Sequence, residues 1–447
     1  MNDTIAAIAT PFGEGAIAML RLSGPRAVEI ADQIFTARKP ASQLDARVQQ
    51  LGRIFENDRA IDEVMLSVHR APASYTGEEL VEICCHGGIL VTRRILQILL
   101  ERGARLAEPG EFTQRAFLHG KMDLTQAEAV MDLIRAQTDL ALRAATEQLE
   151  GRLGARVREI RGELLALLAH VEAYIDFPDE DIDPDTGQTL LNNLQRAREK
   201  ITALLRTADQ GKILREGIRT VIYGAPNVGK SSLLNVLLGF ERAIVSEIPG
   251  TTRDTIEEVI NLRGIPLRLI DTAGVRESED AIEKEGIART LKNIERADLV
   301  LHLADAHEPR SKVLWASESG TSHREIFILN KCDLGEDESW RGVEAVRISC
   351  QTNAGVGQLG DAIFARVLRG GAMLADSSIA INARHQLCLT TAQRFADAAG
   401  QAMRDGLSPE FVAIELRAAL DAVGEVVGKM DAEELLGKIF STFCIGK

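Results

Sequence analysis

"GAPNVGKS" runs from Gly224 to Ser231 and has the form G-x-x-x-x-G-K-[ST]. It follows the strand-like "RTVIY" and opens the helical "SSLLNVLLG", the setting in which that pattern acts. The glycines let backbone N–H groups curl around phosphate oxygens, and the helix N-terminus adds a favourable dipole. Lys230 is expected to reach the β and γ phosphates, and the Ser231 hydroxyl to ligate Mg²⁺.

Three further motifs follow in order, each at the end of a strand-like run. "PLRLIDTAG" ends in D-x-x-G, which would set Asp271 on Mg²⁺ and the Gly274 N–H against the γ phosphate. "EIFILNKCD" ends in N-K-x-D, where the Asp333 carboxylate can accept from N1–H and the N2 amine of guanine and Asn330 can meet the N7/O6 edge. Adenine offers no such pair of donors, so the fragment selects guanine. "RISCQTNAG", a looser match, offers Ser349 and Cys350 as a further base-side loop, and "IPGTTRD" supplies Thr251 and Thr252 to close the Mg²⁺ shell when γ phosphate is present. Together these read as a GTPase. The position after D-x-x-G holds Val275, which cannot orient an attacking water, so hydrolysis needs another group. Asn227, as a ligand to a monovalent cation, and Glu283, as a water-orienting carboxylate, are the candidates. Taken alone, each is more ordinary as a turn asparagine and a solvated helix-start glutamate.

Outward from this core, strands alternate with helices over 215–374, as in a doubly wound parallel sheet of Ras-like α/β type. Residues 1–119 mix β-like runs ("TIAAIAT", "GAIAMLRLSG", "DEVMLSVHRA", "ELVEICC") with helical ones and suggest an α+β domain. Two long helices are expected between Leu124 and Ile175, and residues 375–447 are helical again. The segments 120–214 and 375–447 could therefore form one helical domain into which the α/β unit is inserted. "IDFPDEDIDPDTG" carries six carboxylates from Asp176 to Asp185 and reads as a solvated acidic connector.

The start "MNDTIAAIATPFG" lacks the basic region of a signal peptide, and no apolar run is long enough to cross a bilayer. Six scattered cysteines without a CxxC pair suit a reducing cytoplasm. The net charge of −14 lowers the expectation that the chain alone holds a large nucleic acid, although a local basic patch is compatible with it. The chain ends in "FCIGK". Gly446 and Lys447 exclude a prenylation signal and the compartment disfavours a disulfide, which leaves a frayed tail or a docked thiol and lysine.

"GAPNVGKSSLLN", "IPGTTRD", "DTAGVRE", "NKCD", "EPGEFTQRAFLHGKMDLTQAEA", "IDFPDEDID" and "FCIGK" together resemble the MnmE (TrmE) family of tRNA modification GTPases over essentially the whole chain. The resemblance implies an N-terminal folate-binding and dimerisation domain, a helical domain from both flanks and an inserted G domain that pairs with its twin when K⁺ and GTP are present. It implies GTP contacts at Asn227, Val228, Gly229, Lys230, Ser231 and Ser232, at Ser246, Glu247, Ile248, Pro249, Gly250, Thr251 and Thr252, at Asp271, Thr272, Ala273 and Gly274, and at Asn330, Lys331, Asp333, Ser349 and Cys350. Ser231 and Thr252 match Mg²⁺ ligands; Asn227, Ser246, Ile248 and Thr251 match a K⁺ site; Glu283 matches the water-orienting glutamate. Arg21, Glu82, Lys121 and Lys447 match contacts to 5-formyl- or 5,10-methylene-tetrahydrofolate, and Cys444 would stand near the one-carbon unit. The implied assembly is a homodimer working with the FAD-dependent partner MnmG (GidA), in a heterotetramer or larger, which holds most of the tRNA. The implied product is a carboxymethylaminomethyl or aminomethyl group on C5 of the wobble uridine. The main rival, a regulatory GTPase of ribosome assembly, usually appends an RNA-binding module, and no GXXG loop in a basic setting is evident.

Overall fold

The computed structural model describes residues 3–176, 186–239, 258–270, 293–310, 324–367, 379–428 and 433–447. The chain divides into two compact units, Met1–Met131 with Gly424–Lys447, and Asp132–Val423.

In the first unit, β1 (Ile5–Ile8), β2 (Gly15–Ser23), β3 (Phe35–Ala37), β4 (Gln49–Glu56), β5 (Arg59–His69), β6 (Leu80–Gly87) and β7 (Arg105–Leu106) form one sheet in the order β3-β4-β5-β6-β2-β1-β7. All pairs are antiparallel except β1 with β7. Side chains alternate between faces along each strand. Leu20, Leu22, Leu66, Val68, Val81 and Ile83 lie in the main core with Ile30 and Ile34 of α1 (Ala27–Ile34) and Ile95 and Leu99 of α2 (Ile89–Glu101). Arg21, Ser67 and Glu82 take the opposite face. Arg21 pairs with Glu82 in register, and Glu82 with Ser67, so the three stand in one row across the sheet. A smaller core on this face, Ile5, Ala7, Leu80, Ala107 and Phe112, seats α3 (Glu111–Leu118).

Helix α3 is held by charge as well as by packing. Arg115 is fully buried and donates to the Asp3 carbonyl at 2.9 Å, to Asp3 Oδ1 and Glu111 Oε1 at 2.8 Å, and to Glu78 at 3.2 Å. Arg105 reaches the same Glu111 at 2.6 Å and Asp3 at 2.7 Å. The end of the chain then docks on this helix. Phe440, closing α13 (Glu433–Phe440), and Phe443 lie with ring centroids 5.2 Å apart, and their atoms crowd Gly110. The Gly110 N–H donates to the Cys444 carbonyl at 3.3 Å and the Phe112 N–H to that of Lys447 at 3.2 Å. Gly446 sits at φ +95°, and a Cβ there would lie 2.7 Å from the Ile8 carbonyl oxygen. No other residue type fits without strain.

The second unit contains α5 (Asp139–Leu149), α6 (Arg152–Asp176), α7 (Thr186–Leu205) and α8 (Ala208–Glu216), which follow α4 (Leu124–Arg135). The two long helices expected over 124–175 are three. The run breaks after Arg135 because Thr138 caps α5, its side chain accepting from the Ala141 N–H at 3.2 Å, with Asp139 in the first turn. The chain then enters a six-stranded sheet: β8 (Ile218–Tyr223), β9 (Glu258–Leu262), β10 (Ile265–Leu269), β11 (Leu299–Asp305), β12 (Glu325–Asn330) and β13 (Val346–Arg347). The order is β13-β12-β11-β8-β10-β9, parallel except for the β9–β10 hairpin, with α9 (Lys230–Leu238) following β8 and α10 (Val356–Val367) following β13. The chain returns to the helices as α11 (Ala383–Arg404) and α12 (Pro409–Val426). Gln393 of α11 donates to Thr202 of α7 at 2.8 Å, and Arg198 pairs with Asp397. The α/β sheet is thus an insertion among helices. The expected segments 120–214 and 375–447 are shared between the units, residues 120–131 and 424–447 going with the first, where Phe440 and Phe443 find their apolar contacts.

Replacing Arg115 by Met leaves Glu78 without its cation and Glu111 with Arg105 alone. The earliest urea transition of the full chain should lose about 3–5 kcal/mol. Burial alone would raise the Glu111 and Asp3 carboxyls, but the Arg105 and Arg115 hydrogen bonds outweigh it and both are lowered. A lowered folded value stabilises above the unfolded pKa and is lost as pH falls through the folded one, so acid unfolding of this unit should set in below about pH 4. In Arg115→Met that acid dependence should flatten; equal stability and an unchanged acid profile, followed by circular dichroism, would contradict the network.

Candidate functional site

The loop between β8 and α9 is built around two left-handed residues, Asn227 at φ +64° and Gly229 at φ +100°. A Cβ at Gly229 would lie 2.3 Å from the Asn330 side-chain nitrogen, so only glycine lets the two loops meet. Asn330 is 2% exposed. It donates to the Val228 carbonyl at 2.9 Å and accepts from the Cys350 N–H at 3.1 Å. Its amide therefore ties the phosphate loop to both base-side loops, and a contact to guanine would use its remaining N–H. Lys230 opens α9 with its ammonium on the carbonyls of Gly224, 3.0 Å, and Ala225, 2.8 Å. Burial pushes its pKa down. A desolvated cation with only neutral partners is poised for an anion.

On the base side, Lys331 is left-handed at φ +63° and bridges to Asp305 at 2.7 Å. Asp333 follows in a short 3₁₀ turn, exposed, and among the described residues its carboxylate has no hydrogen bond or ion pair. The Cys332 N–H donates to the Ile348 carbonyl at 3.2 Å, which places the two loops side by side, and burial with the nearby Asp333 charge pushes the Cys350 thiol up to about 11. Ser349 is buried and its hydroxyl accepts from the Thr352 N–H at 3.2 Å. An open groove of about 550 Å³ runs from Ser232 to Cys350. Ser231 lies exposed in the first turn of α9. Ser246, Glu247, Ile248, Pro249, Gly250, Thr251, Thr252, Asp271, Thr272, Ala273, Gly274 and Glu283 lie outside the described residues.

The second cluster is in the first unit. Arg21 donates to Glu82 Oε1 at 2.8 Å and lies over the Tyr75 ring, 5.8 Å from its centroid. Tyr75 is fixed by a 2.9 Å hydrogen bond to Thr113 of α3. Lys447 is half-buried; burial first, and then the Arg21 charge, push its pKa down, with Cys444 and Glu82 acting against them. Gly446 lies against Ile8 and Ala9, just after the β1 residue paired with Arg21, so the docked tail brings Lys447 toward Arg21 and Glu82. Cys444 is exposed, and its carbonyl is held by Gly110. Lys121 is placed differently, its ammonium on the Pro72 carbonyl at 2.9 Å and its stem against Gly77. Two residues escaped the sequence reading: Tyr75, and His69, whose Nε2 lies 3.4 Å from Glu82 Oε2 and 3.4 Å from Ser67 Oγ. The alternation of β5, which puts His69 on the face of Ser67, was the available signal.

Two family models match the chain: the MnmE helical domain over residues 124–444 and the GTP-binding protein TrmE N-terminus over residues 4–121. The tRNA modification GTPase MnmE of Akkermansia muciniphila is 54% identical, with 99% of both chains aligned. The protein of the same name from Bacillus subtilis is 46% identical, with 100% of both chains aligned. With a phosphate loop locked to two base-side loops in one unit and a docked tail in the other, this chain belongs to the MnmE family.

Proposed function

We propose that this chain hydrolyses GTP in a K⁺-stimulated way and, with a folate-borne one-carbon unit and the flavoprotein MnmG, adds a carboxymethylaminomethyl or aminomethyl group to C5 of the wobble uridine of tRNA. The observation that carries the folate half is the convergence of Arg21, Glu82 and Lys447 in one cluster. Glu82 is an acceptor suited to the amide and amine edge of a pterin, Tyr75 offers a ring face, and the two cations suit a glutamate tail. A tetrahydrofolate derivative bound there would supply the one-carbon group. The chain's own part is to orient it, and the tail sets the Cys444 thiol beside it. Lys121 would join the ligand by exchanging the Pro72 carbonyl for it.

In the G domain, Ser231, with Thr252, would hold Mg²⁺, and Lys230 would exchange loop carbonyls for phosphate oxygens. Asn227, with Ser246, Ile248 and Thr251, would hold K⁺, Glu283 would orient water, and two G domains of a homodimer would pair. Support for the shared handling of tRNA is the net charge of −14. Among the described residues no helix is long and apolar enough to cross a membrane, in keeping with a cytoplasmic place. Nucleoside analysis of tRNA from cells lacking the chain tests the whole reading; an intact wobble modification there overturns it.

GTP turnover should be much faster in K⁺ than in Na⁺ at equal ionic strength, since Val275 offers no water-orienting group and a bridging cation can offset the developing charge. Asn227→Ala should lose that response and keep nucleotide binding; equal rates in the two salts would refute the cation site. Asp333→Asn replaces an acceptor of two guanine donors by an amide that opposes one of them. GTP affinity should fall by about 2–4 kcal/mol, with preference moving toward xanthosine triphosphate, as titration would read. Removing Cys444–Lys447 should weaken folate binding and abolish modification in cells while sparing GTP hydrolysis, and Cys444→Ser should spare folate binding if the thiol acts chemically. Normal modification by the truncated chain would mark the tail as dispensable.

A further inference from the structure

A cavity of about 570 Å³ lies in the second unit, beside the start of β8 and the later residues of β10. Its wall carries Arg135, Arg215, Arg219 and Arg268 against two carboxylates, Asp132 and Glu216. In a chain with a net charge of −14 this is a local reversal of sign. Arg219 and Arg268 are register partners on adjacent parallel strands. Like charges side by side on a sheet repel, and natural sheets usually interpose a counter-charge. None is present: among the described residues neither guanidinium has a hydrogen bond or ion pair, and Arg268 Nε is shut from solvent without an acceptor. Asp298, which flanks β11, accepts from the Arg219 backbone N–H at 3.1 Å and not from its guanidinium. Arg215, by contrast, is anchored, donating to the Ile381 carbonyl at 2.8 Å.

We propose that this cavity binds a phosphate group, with the Arg219–Arg268 pair as its fork. Guanidinium forks match phosphate oxygens in geometry and charge, and an unpartnered buried N–H is costly until an acceptor meets it. The source favoured is a backbone phosphate of tRNA, because an acidic chain that acts on RNA must meet it at a local basic site; that choice rests on the function proposed above. A free polyphosphate has the same chemistry. Arg219 lies on the strand that runs into the phosphate loop and Arg268 on the strand that runs to the D-x-x-G motif, so an anion held here touches both strands that carry the GTPase machinery.

The test uses full-length protein with saturating GDP on the phosphate loop, and two probes: an unmodified tRNA transcript in a salt titration, and inorganic tripolyphosphate in a thermal-shift assay. Arg219→Gln, Arg268→Gln and Arg219→Lys are compared with the native chain, GDP affinity serving as the folding control. The expected result is that the Gln variants bind tRNA roughly tenfold more weakly, with a salt slope lower by about one unit per lost phosphate contact, and that Arg219→Lys recovers most of the loss. Unchanged tRNA binding with loss of tripolyphosphate stabilisation in the Gln variants supports the phosphate site with a free polyphosphate as its ligand. Gln variants that match the native chain with both probes overturn it. Nucleoside analysis, read separately, decides the wobble-uridine function whichever way this falls.

Discussion

The first unit hangs on one buried guanidinium. Arg115 has no exposed surface and carries on its two terminal nitrogens the start of the chain at Asp3, the 76–79 turn through Glu78, and its own helix through Glu111. Such a group is costly to bury and far costlier to bury alone, so these segments are bound to be present together or not at all. That fixes α3 on the sheet face bearing Arg21 and Glu82. With α3 fixed, its first-turn N–H groups are presented to the tail, and Lys447 arrives at the cluster.

The G domain rests on a related constraint with the opposite chemistry. There a neutral amide, Asn330, joins three loops, and the absence of a side chain at Gly229 allows the approach. Both devices make a site out of segments far apart in sequence. One uses charge to bind chain ends; the other uses a hydrogen-bonding strut in a space a methyl group would fill.

Much of this could be read from the chain, for a physical reason. Phosphate loops need glycine at set positions and a strand before and a helix after, so "GAPNVGKS" announces its own geometry, and the strands around it follow. In the first unit the runs of β1, β2, β5 and β6 are visible because they alternate, whereas "QQLGRIFE" of β4, in which only Ile54 is fully buried, shows no such signal. The inserted arrangement was legible from helical periodicity on both flanks. Cross-strand partners were not. That His69 meets Glu82, that Arg219 stands beside Arg268, and that Asn330 is a strut all depend on register, which periodicity leaves undetermined. Buried Arg115 was hidden for a simpler reason: a charged residue on a short helix reads as solvated until its partners are seen.

Docking of Cys444–Lys447 on α3 has a consequence for biosynthesis. The first unit is made of Met1–Met131 and Gly424–Lys447, and the whole of Asp132–Val423 is translated between them. Its sheet can form before Asp132–Val423 is made, but the cluster around Arg21 and Glu82 lacks Lys447 until that unit has been translated. Closing so long a loop adds only slowly to the entropic cost, so delay, and not instability, is the result. A chain that stopped before Gly424 would possess its phosphate loop and still lack Lys447 beside Arg21 and Glu82, so that cluster is assembled only after the whole intervening unit has been translated.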